Sequence, residues 1–423
     1  MITKAPRGTH DVLPSDVYKW NYIENIAKSV AEKYGFKEMR TPVFEHTELF
    51  ERGIGETTDV VEKEMYTFED KGKRSITLKP EGTASVVRTF IEHKLYADSQ
   101  PTKLFYITPV FRYEKPQAGR YREHHQFGVE VFGASNPSID AEVINLAMTI
   151  YQSLGIKQLE LRINNIGCPI CREAYHKELK NYLSEKVNNL CTTCLSRYDR
   201  NPMRIIDCKV DKCQEQLTEV PLMIDHICDE CHDHFNELKK YLEALEINYT
   251  VDPKIVRGLD YYTKTAFEII TEEAGKKGTL CGGGRYDKLV EDCGGPKTPG
   301  VGFGMGLERA LLSLENQQID IPKPKNTDAF IVTMGESASL VGFKLLKMMR
   351  DQSIKADQNH VTRSVKAQFK YADKLSATYT IVIGDEEVNN NVVLLKNMLT
   401  GEQEQVSYDD VVNILKERLI EGE

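Results

Sequence analysis

An α+β domain split by a mainly helical insertion and followed by a small α/β domain is the fold class that the sequence predicts. Three observations predict it. Strand-like runs and amphipathic helices share residues 1–167, and consecutive strands are joined by turn-rich connections. The character changes at 168, where a helical stretch to 250 carries eight of the ten cysteines. Beyond a proline-bearing segment at 319–326, short apolar runs alternate with helical ones, the βαβ rhythm of a separate unit. With 423 residues and 40% hydrophobic content, the chain is too large for one compact core.

The elements follow in order. Val17, Trp20, Ile23, Ala27, Val30 and Tyr34 recur at helical spacing, so 16–34 reads as an amphipathic helix, capped by Ser15 and ended by Gly35. Strands are expected at 36–44, 65–70 and 75–79, the last two flanking an Asp70-Lys71-Gly72-Lys73 turn. A helix at 81–94 precedes strands 103–114 and 124–133, which are joined by a basic loop. A helix at 138–154 and a strand at 158–165 complete this part. After the insertion, strand signals return at 259–271, 278–284 and 300–304, the last running into a helix from about 305. In the final part, 328–334, 354–358 and 378–384 are the apolar runs.

The opening MITKAPRGTHDVLP has no apolar signal core, and no run of membrane-spanning length occurs, so a soluble, cytoplasmic protein without a membrane partner is expected. The net charge of −9 does not by itself favour a nucleic-acid partner, but phosphate binding needs only a local basic face. Two such faces occur. In FRYEKPQAGRYREHHQFGVE at 111–130, Arg112 sits on a strand, where its fork can grip phosphate or carboxylate oxygens. Lys115, Arg120 and Arg122 lie on the adjoining loop. In RSVKAQFKYADKL at 363–375, Arg363, Lys366, Lys370 and Lys374 fall on one helix face and Val365, Phe369 and Ala372 on another.

Three further stretches carry chemistry. GFGMGLERALLSLE at 302–315 alternates glycines along a strand that becomes a helix, with Arg309 in its first turn placed to meet a purine or a phosphate. VRGLDYYTKTAFE at 256–268 crowds Arg257, Asp260, Tyr261 and Tyr262 where a core strand would carry aliphatics; buried tyrosine hydroxyls need partners, which suits a site wall. In LKPEGTASVVR at 78–88, Pro80 and Glu81 suit a helix start.

Together and in this order, these stretches resemble class II aminoacyl-tRNA synthetases, and RGLDYY at 257–262 narrows the resemblance to the histidyl-tRNA synthetase family. PRGTHDVLP at 6–14 and TPVFE at 41–45 join it, the latter resembling the first class II motif. The basic hairpin resembles the second motif and GMGLER the third. The resemblance implies an antiparallel sheet flanked by helices, with the first motif building a homodimer interface. It divides the chain into a catalytic domain at 1–167 and 251–318, the insertion at 168–250, a linker at 319–326 and an α/β anticodon-binding domain at 327–423. It implies ATP with Mg2+, L-histidine and tRNA(His) as substrates, and histidyl-adenylate formation followed by transfer to the tRNA 3′ end.

Carried over by residue, the resemblance gives Glu81, Gly82 and Thr83 to the histidine amino group. Arg112 goes to the α-phosphate and substrate carboxylate, Glu114 to the adenine edge and Arg120 to the γ-phosphate. Gln126 and Glu130 face the substrate, with Glu130 suited to read an imidazole N–H. Arg257 is the second α-phosphate cation, Tyr261 and Tyr262 complete the histidine pocket, and Arg309 covers the adenine. His124 departs from the family, where many members stack a Phe on adenine; an imidazole offers less area and can gain charge. Catalytically silent paralogues that regulate ATP phosphoribosyltransferase typically lack the C-terminal domain and key arginines. Other class II synthetases lack RGLDYY, and a zinc-bearing adaptor leaves the ATP motifs unexplained.

In the insertion, Cys168/Cys171, Cys191/Cys194 and Cys228/Cys231 form CxxC pairs. Two such pairs can close a tetrahedral zinc site, and the natural candidates are Cys191 and Cys194 with Cys228 and Cys231.

Overall fold

The computed structural model describes residues 3–55, 58, 60–273, 276–324, 327–361 and 363–421. The chain forms two compact units that divide after Ile321. The end of the expected linker, 325–326, lies outside the described residues.

The first unit opens on α1 (Val17–Lys33), whose Trp20, Ile23, Ala27 and Val30 face the core. Its N-cap is Asp16 and not Ser15, and Ser15 instead donates a hydrogen bond to the Asp16 carboxylate at 2.8 Å. Gly35, at φ +80°, turns the chain out of the helix. The strand expected over 36–44 is two short pieces, β1 (Lys37–Glu38) and β2 (Phe44–His46). Pro42 lies between them and has no N–H for a ladder. Then come α2 (Thr47–Ile54), β3 (Tyr66–Glu69), β4 (Ser75–Leu78), α3 (Thr83–Glu92), β5 (Thr102–Phe111) and β6 (Glu123–Phe132). In the β3–β4 turn, the Asp70 carboxylate accepts the N–H groups of Gly72 and Arg74. Helix α4 (Pro137–Ser153) starts on Asn136, which accepts the Ser138 N–H at 2.9 Å, with Pro137 in the first turn. β7 (Leu159–Asn165) leads into the insertion.

The insertion holds α5 (Pro169–Ser184), α6 (Thr192–Arg200), α7 (Met203–Ile206), α8 (Asp211–Glu215) and α9 (Asp229–Ala244). The chain returns through β8 (Tyr249–Val251), β9 (Thr263–Glu273), β10 (Lys276–Arg285), α10 (Leu289–Asp292), β11 (Gly300–Gly306) and α11 (Leu307–Asn316). Among the described residues, eight strands form one sheet in the order β1-β5-β6-β11-β10-β9-β7-β8. Its six inner strands pair antiparallel, whereas edge strands β1 and β8 pair parallel with β5 and β7, so the sheet is mixed. One face packs Phe127, Val129, Phe303, Met305, Phe267 and Ile269 against α1, α4 and α11. The other face carries the site. β2, β4 and β3 form a separate three-stranded sheet.

The second unit has β12 (Ala329–Thr333), α12 (Glu336–Asp351), β13 (Ala356–Gln358), α13 (Val365–Lys374), β14 (Tyr379–Ile383), α14 (Asp385–Asn389), β15 (Val392–Asn397), β16 (Gln403–Ser407) and α15 (Val411–Glu421). Its sheet order is β13-β12-β14-β15-β16, parallel over the first three strands and antiparallel over the last two. α12 and α15 cover one face through Leu345, Met349, Val411 and Leu415. α13 covers the other through Val365, Phe369 and Ala372. The sequence reading missed the β15–β16 hairpin.

Candidate active site

On the open face of the large sheet, side chains must leave room, and glycine supplies it. Gly128 on β6, Gly304 on β11 and Gly282 on β10 are consecutive cross-strand partners. A Cβ on Gly304 would collide with the Gln126 amide, and one on Gly282 with the Arg257 guanidinium. Polar groups therefore lie flat against the strands, as close backbone approach requires.

Above this floor opens a cavity of about 190 Å³. It is lined by Arg112, Glu114, Arg120, His124, Gln126 and Arg309, together with Gly119, Tyr121, Gly304, Gly306 and Glu308. Arg112 lies one residue past the end of β5 rather than on the strand, and its Nε donates to the Pro80 carbonyl at 2.8 Å. Glu114 faces Arg120 at 3.5 Å. Arg309, in the first turn of α11, donates to the Thr279 carbonyl. Glu308 beside it accepts the His125 N–H at 2.8 Å and ties α11 to β6. The buried Nδ1 of His124 and Oε1 of Gln126 have no partner, although buried polar atoms ordinarily do. Burial, then the nearby Arg112 charge, brings His124 down to about 3. It is neutral at physiological pH, which removes the charge gain expected of this position.

Beside the cavity lies a buried acid. Glu130 is 1% exposed, and its Oε1 accepts from Thr83 Oγ1 at 2.7 Å and Tyr106 OH at 3.1 Å. The Tyr286 hydroxyl donates to Oε2. Burial raises Glu130 to about 8 against these hydrogen bonds. Glu81 caps α3: its carboxylate accepts the N–H groups of Thr83 at 2.6 Å and Ala84 at 2.8 Å, with Gly82 as the N-cap. Burial raises Glu81 as well. Tyr261 and Tyr262, rings 4.6 Å apart, pack edge-on to Tyr286.

Arg257 stands outside the lining of this cavity. It is held to Glu268 at 2.8 Å, over the Tyr262 ring at 5.2 Å, and its Nε is buried without a partner. It borders a recess of about 60 Å³ with Arg172, Asn201 and Asp260. Gly282 beneath it pairs with Gly304, so it shares the glycine floor with the cavity. Tyr106, Tyr286 and Glu268 were missed by sequence reading. Counting by twos would have found two of them: Tyr106 is in step with Thr108 opposite Gln126, and Tyr286 with Gly282 and Gly284.

Two expectations need correction. Cys191 and Cys194 do not meet Cys228 and Cys231. Cys228 and Cys231 join Cys168 and Cys171, and Cys191 and Cys194 join Cys208 and Cys213. α5 and α9 begin side by side at the stem of the insertion, so contact there follows the stem and not the sequence interval. On α13, Lys366, Lys370 and Lys374 are exposed along one face, but Arg363 precedes the helix. It donates to Asn359 at 2.8 Å and lies over the Tyr371 ring at 4.2 Å.

A profile of the histidyl-tRNA synthetase family matches residues 8–310, and one described as an anticodon binding domain matches 328–418. The chain is 68% identical over 414 residues to a histidine–tRNA ligase of Alkaliphilus oremlandii, covering 98% of each. It is 56% identical over 420 residues to that of Clostridioides difficile, covering 99% of this chain and all of the relative. The crystal structure of apo S. aureus histidyl-tRNA synthetase superposes with a TM-score of 0.84 at 45% identity, over 98% of this chain and 99% of that one. With the order of its motifs, the cavity lined by the basic hairpin and GMGLER, and full-length likeness all in agreement, this chain belongs to the histidyl-tRNA synthetase family.

Proposed function

We propose that the chain activates L-histidine with ATP and Mg2+ and transfers it to the 3′ end of tRNA(His). One observation carries the reading. A glycine-floored cavity gathers Arg112, Glu114, Arg120, His124, Gln126 and Arg309 beside the buried Glu130. In the first step a histidine carboxylate oxygen attacks the ATP α-phosphorus, the bond to the β-phosphate oxygen breaks, and diphosphate leaves. In the second, a terminal ribose hydroxyl of the tRNA attacks the carbonyl carbon and AMP leaves.

The first step brings negative charges together. Arg112 and Arg257 relieve that repulsion in the transition state, each worth about 3–4 kcal/mol if comparable to a well-placed oxyanion donor. Arg120 holds the γ-phosphate, Glu114 reads the adenine edge, and His124 and Arg309 sandwich the base. Glu130 accepts the imidazole N–H, Gln126 lies alongside, and Tyr261 and Tyr262 close the pocket. Glu81, Gly82 and Thr83 receive the amino group; the Glu81 oxygens keep lone pairs beyond those given to α3. Alignment of the reactants supplies the rest by proximity. A site that pairs both imidazole nitrogens rejects analogues lacking them by about 10⁴-fold or more, so no editing site is required.

The exposed lysines of α13 meet tRNA phosphates. Val43, Phe44 and Phe68, exposed by 39%, 52% and 48% on or beside the three-stranded sheet, form the face of a homodimer. No helix among the described residues is long and apolar enough to cross a membrane. Histidyl-tRNA is consumed by translation, so the proposed compartment is the cytoplasm.

The test is ATP–diphosphate exchange with each amino acid in turn. Histidine alone should drive it, and Arg257→Ala should lower kcat by about 10²–10³-fold with the circular dichroism spectrum unchanged. Exchange driven by another amino acid would overturn the specificity, and a chain that binds histidine without exchange would be a regulatory paralogue.

A further inference from the structure

We propose that the insertion binds two zinc ions in two separate tetrathiolate sites. Cys168, Cys171, Cys228 and Cys231 hold the first, and Cys191, Cys194, Cys208 and Cys213 hold the second. Within each set the four sulfurs all lie within 4.8 Å of one another. Cys168 and Cys171 are 3.5 Å apart, Cys171 and Cys231 3.8 Å, and Cys191 and Cys208 3.9 Å. Zinc–sulfur arms of about 2.3 Å in a tetrahedron set the sulfurs about 3.8 Å apart. A disulfide needs about 2.05 Å and joins sulfurs in twos, whereas these converge in fours.

The local structure explains the convergence. Cys168, Cys191 and Cys228 are the N-cap residues of α5, α6 and α9, all with extended backbone, and the second cysteine of each pair lies in the first turn. That turn aims both sulfurs at one point. The Cys228 N–H points to the Cys171 sulfur and the Cys191 N–H to the Cys213 sulfur, each at 3.1 Å. Such N–H···S bonds orient and stabilise ligating thiolates. Four facing thiols gain little as plain packing, because S–H is a weak donor. Binding releases four thiol protons per site and leaves each site with a net charge of −2. Arg172 and Lys264 lie within electrostatic reach of the first set.

The two sites have different places in the fold. The first lies where the insertion leaves and rejoins the sheet. Asn165 at the end of β7 donates to the Cys231 carbonyl at 2.8 Å, and Arg172 on α5 donates to the Asp260 carbonyl at 3.1 Å. The second is internal to the insertion and joins α6 to α8. Neither site shares a residue with the proposed active site, so metal content is independent of that reading.

The full chain, expressed with zinc and purified without chelators, should carry two zinc ions by elemental analysis. Cys194→Ala and Cys231→Ala should each retain one, and the double variant none. Cys281→Ala, a buried cysteine outside both sets, should retain two. Cobalt replacing the zinc should give the intense visible bands of tetrahedral thiolate coordination, a readout that needs no variant to fold. Zinc well below two equivalents in the native chain, iron in its place, or a mass lowered by disulfide formation would overturn the proposal.

Discussion

Glu130 sets the pH behaviour of the proposed histidine pocket. Burial holds it at about 8 in the folded chain, against 4.5 for an ordinary glutamate. The folded state therefore keeps a proton that the unfolded chain has already lost. Glu130's share of stability is complete below pH 4.5 and declines as pH rises toward 8. Glu130→Gln should thus gain in Tm relative to the native chain between pH 5 and pH 8, by calorimetry, while KM for histidine rises about 10- to 100-fold. A Tm difference that is flat with pH would refute the assignment. His124 works in the opposite sense. Held at about 3 by burial and Arg112, it resists the proton that the unfolded chain accepts near 6.5, so stability is lost as pH falls across that interval. His124→Phe should remove that acid-side loss and lower KM for ATP by about 2- to 10-fold, since a larger ring adds roughly 0.5–1.5 kcal/mol of stacking.

Two elements carry separable roles. On α13, Lys366, Lys370 and Lys374 recur every four residues and are exposed, while Val365, Phe369 and Ala372 pack on the sheet. Reversing Lys366 and Lys370 to Glu should weaken tRNA binding and flatten its salt dependence, with histidine-dependent exchange intact. If exchange fell in parallel, the helix would have lost its fold rather than its charge. Between α4 and β10, Asp140 and Arg285 form a fully buried ion pair, and His234 of α9 reaches Asp140 at 3.5 Å. Burial raises Asp140, but Arg285 and His234 together outweigh it and hold the acid at about 2. Asp140→Ala leaves the buried guanidinium only Asp287 at 3.0 Å and the Ala134 carbonyl as partners, and should cost about 3 kcal/mol, read as a lower urea midpoint.

At the scale of the whole molecule, the exposed aromatics of the three-stranded sheet need covering. Phe44 and Phe68 lie on one small sheet with Val43 beside them, and none of the three packs into a core of its own chain. Phe44→Asp should halve the mass seen in sedimentation if that sheet is the subunit interface. A native chain that sediments as a monomer at micromolar concentration would remove the interface. The mixed sheet also explains how the site is assembled. Residues from 81–83, 106–130, 257–268 and 282–309 meet because β5, β6, β11, β10 and β9 are neighbours in that order.

Much of this was legible in the sequence because it rests on local chemistry. Hydrophobic spacing marks α1 and α4, Asp70 and Gly72 mark a turn, and the glycine alternation of 302–306 marks a strand that must lie close to a ligand. Arg112 and Arg120 are readable for the same reason, since they sit on one basic hairpin, whereas Glu114 and His124 came from the family resemblance. Partnerships across long intervals were not legible. Cys228 and Cys231 lie closer in sequence to Cys194 than to Cys171, yet α5 and α9 start together and bring 168/171 to 228/231. Tyr286 reaches Glu130 only because β10 and β6 flank β11. By itself the sequence determined which positions face a core and which stretches gather basic residues or glycines, since side-chain periodicity is local. Which of them share a cavity or a metal was decided by strand order and helix docking, because burial and hydrogen bonding are satisfied only once distant segments pack.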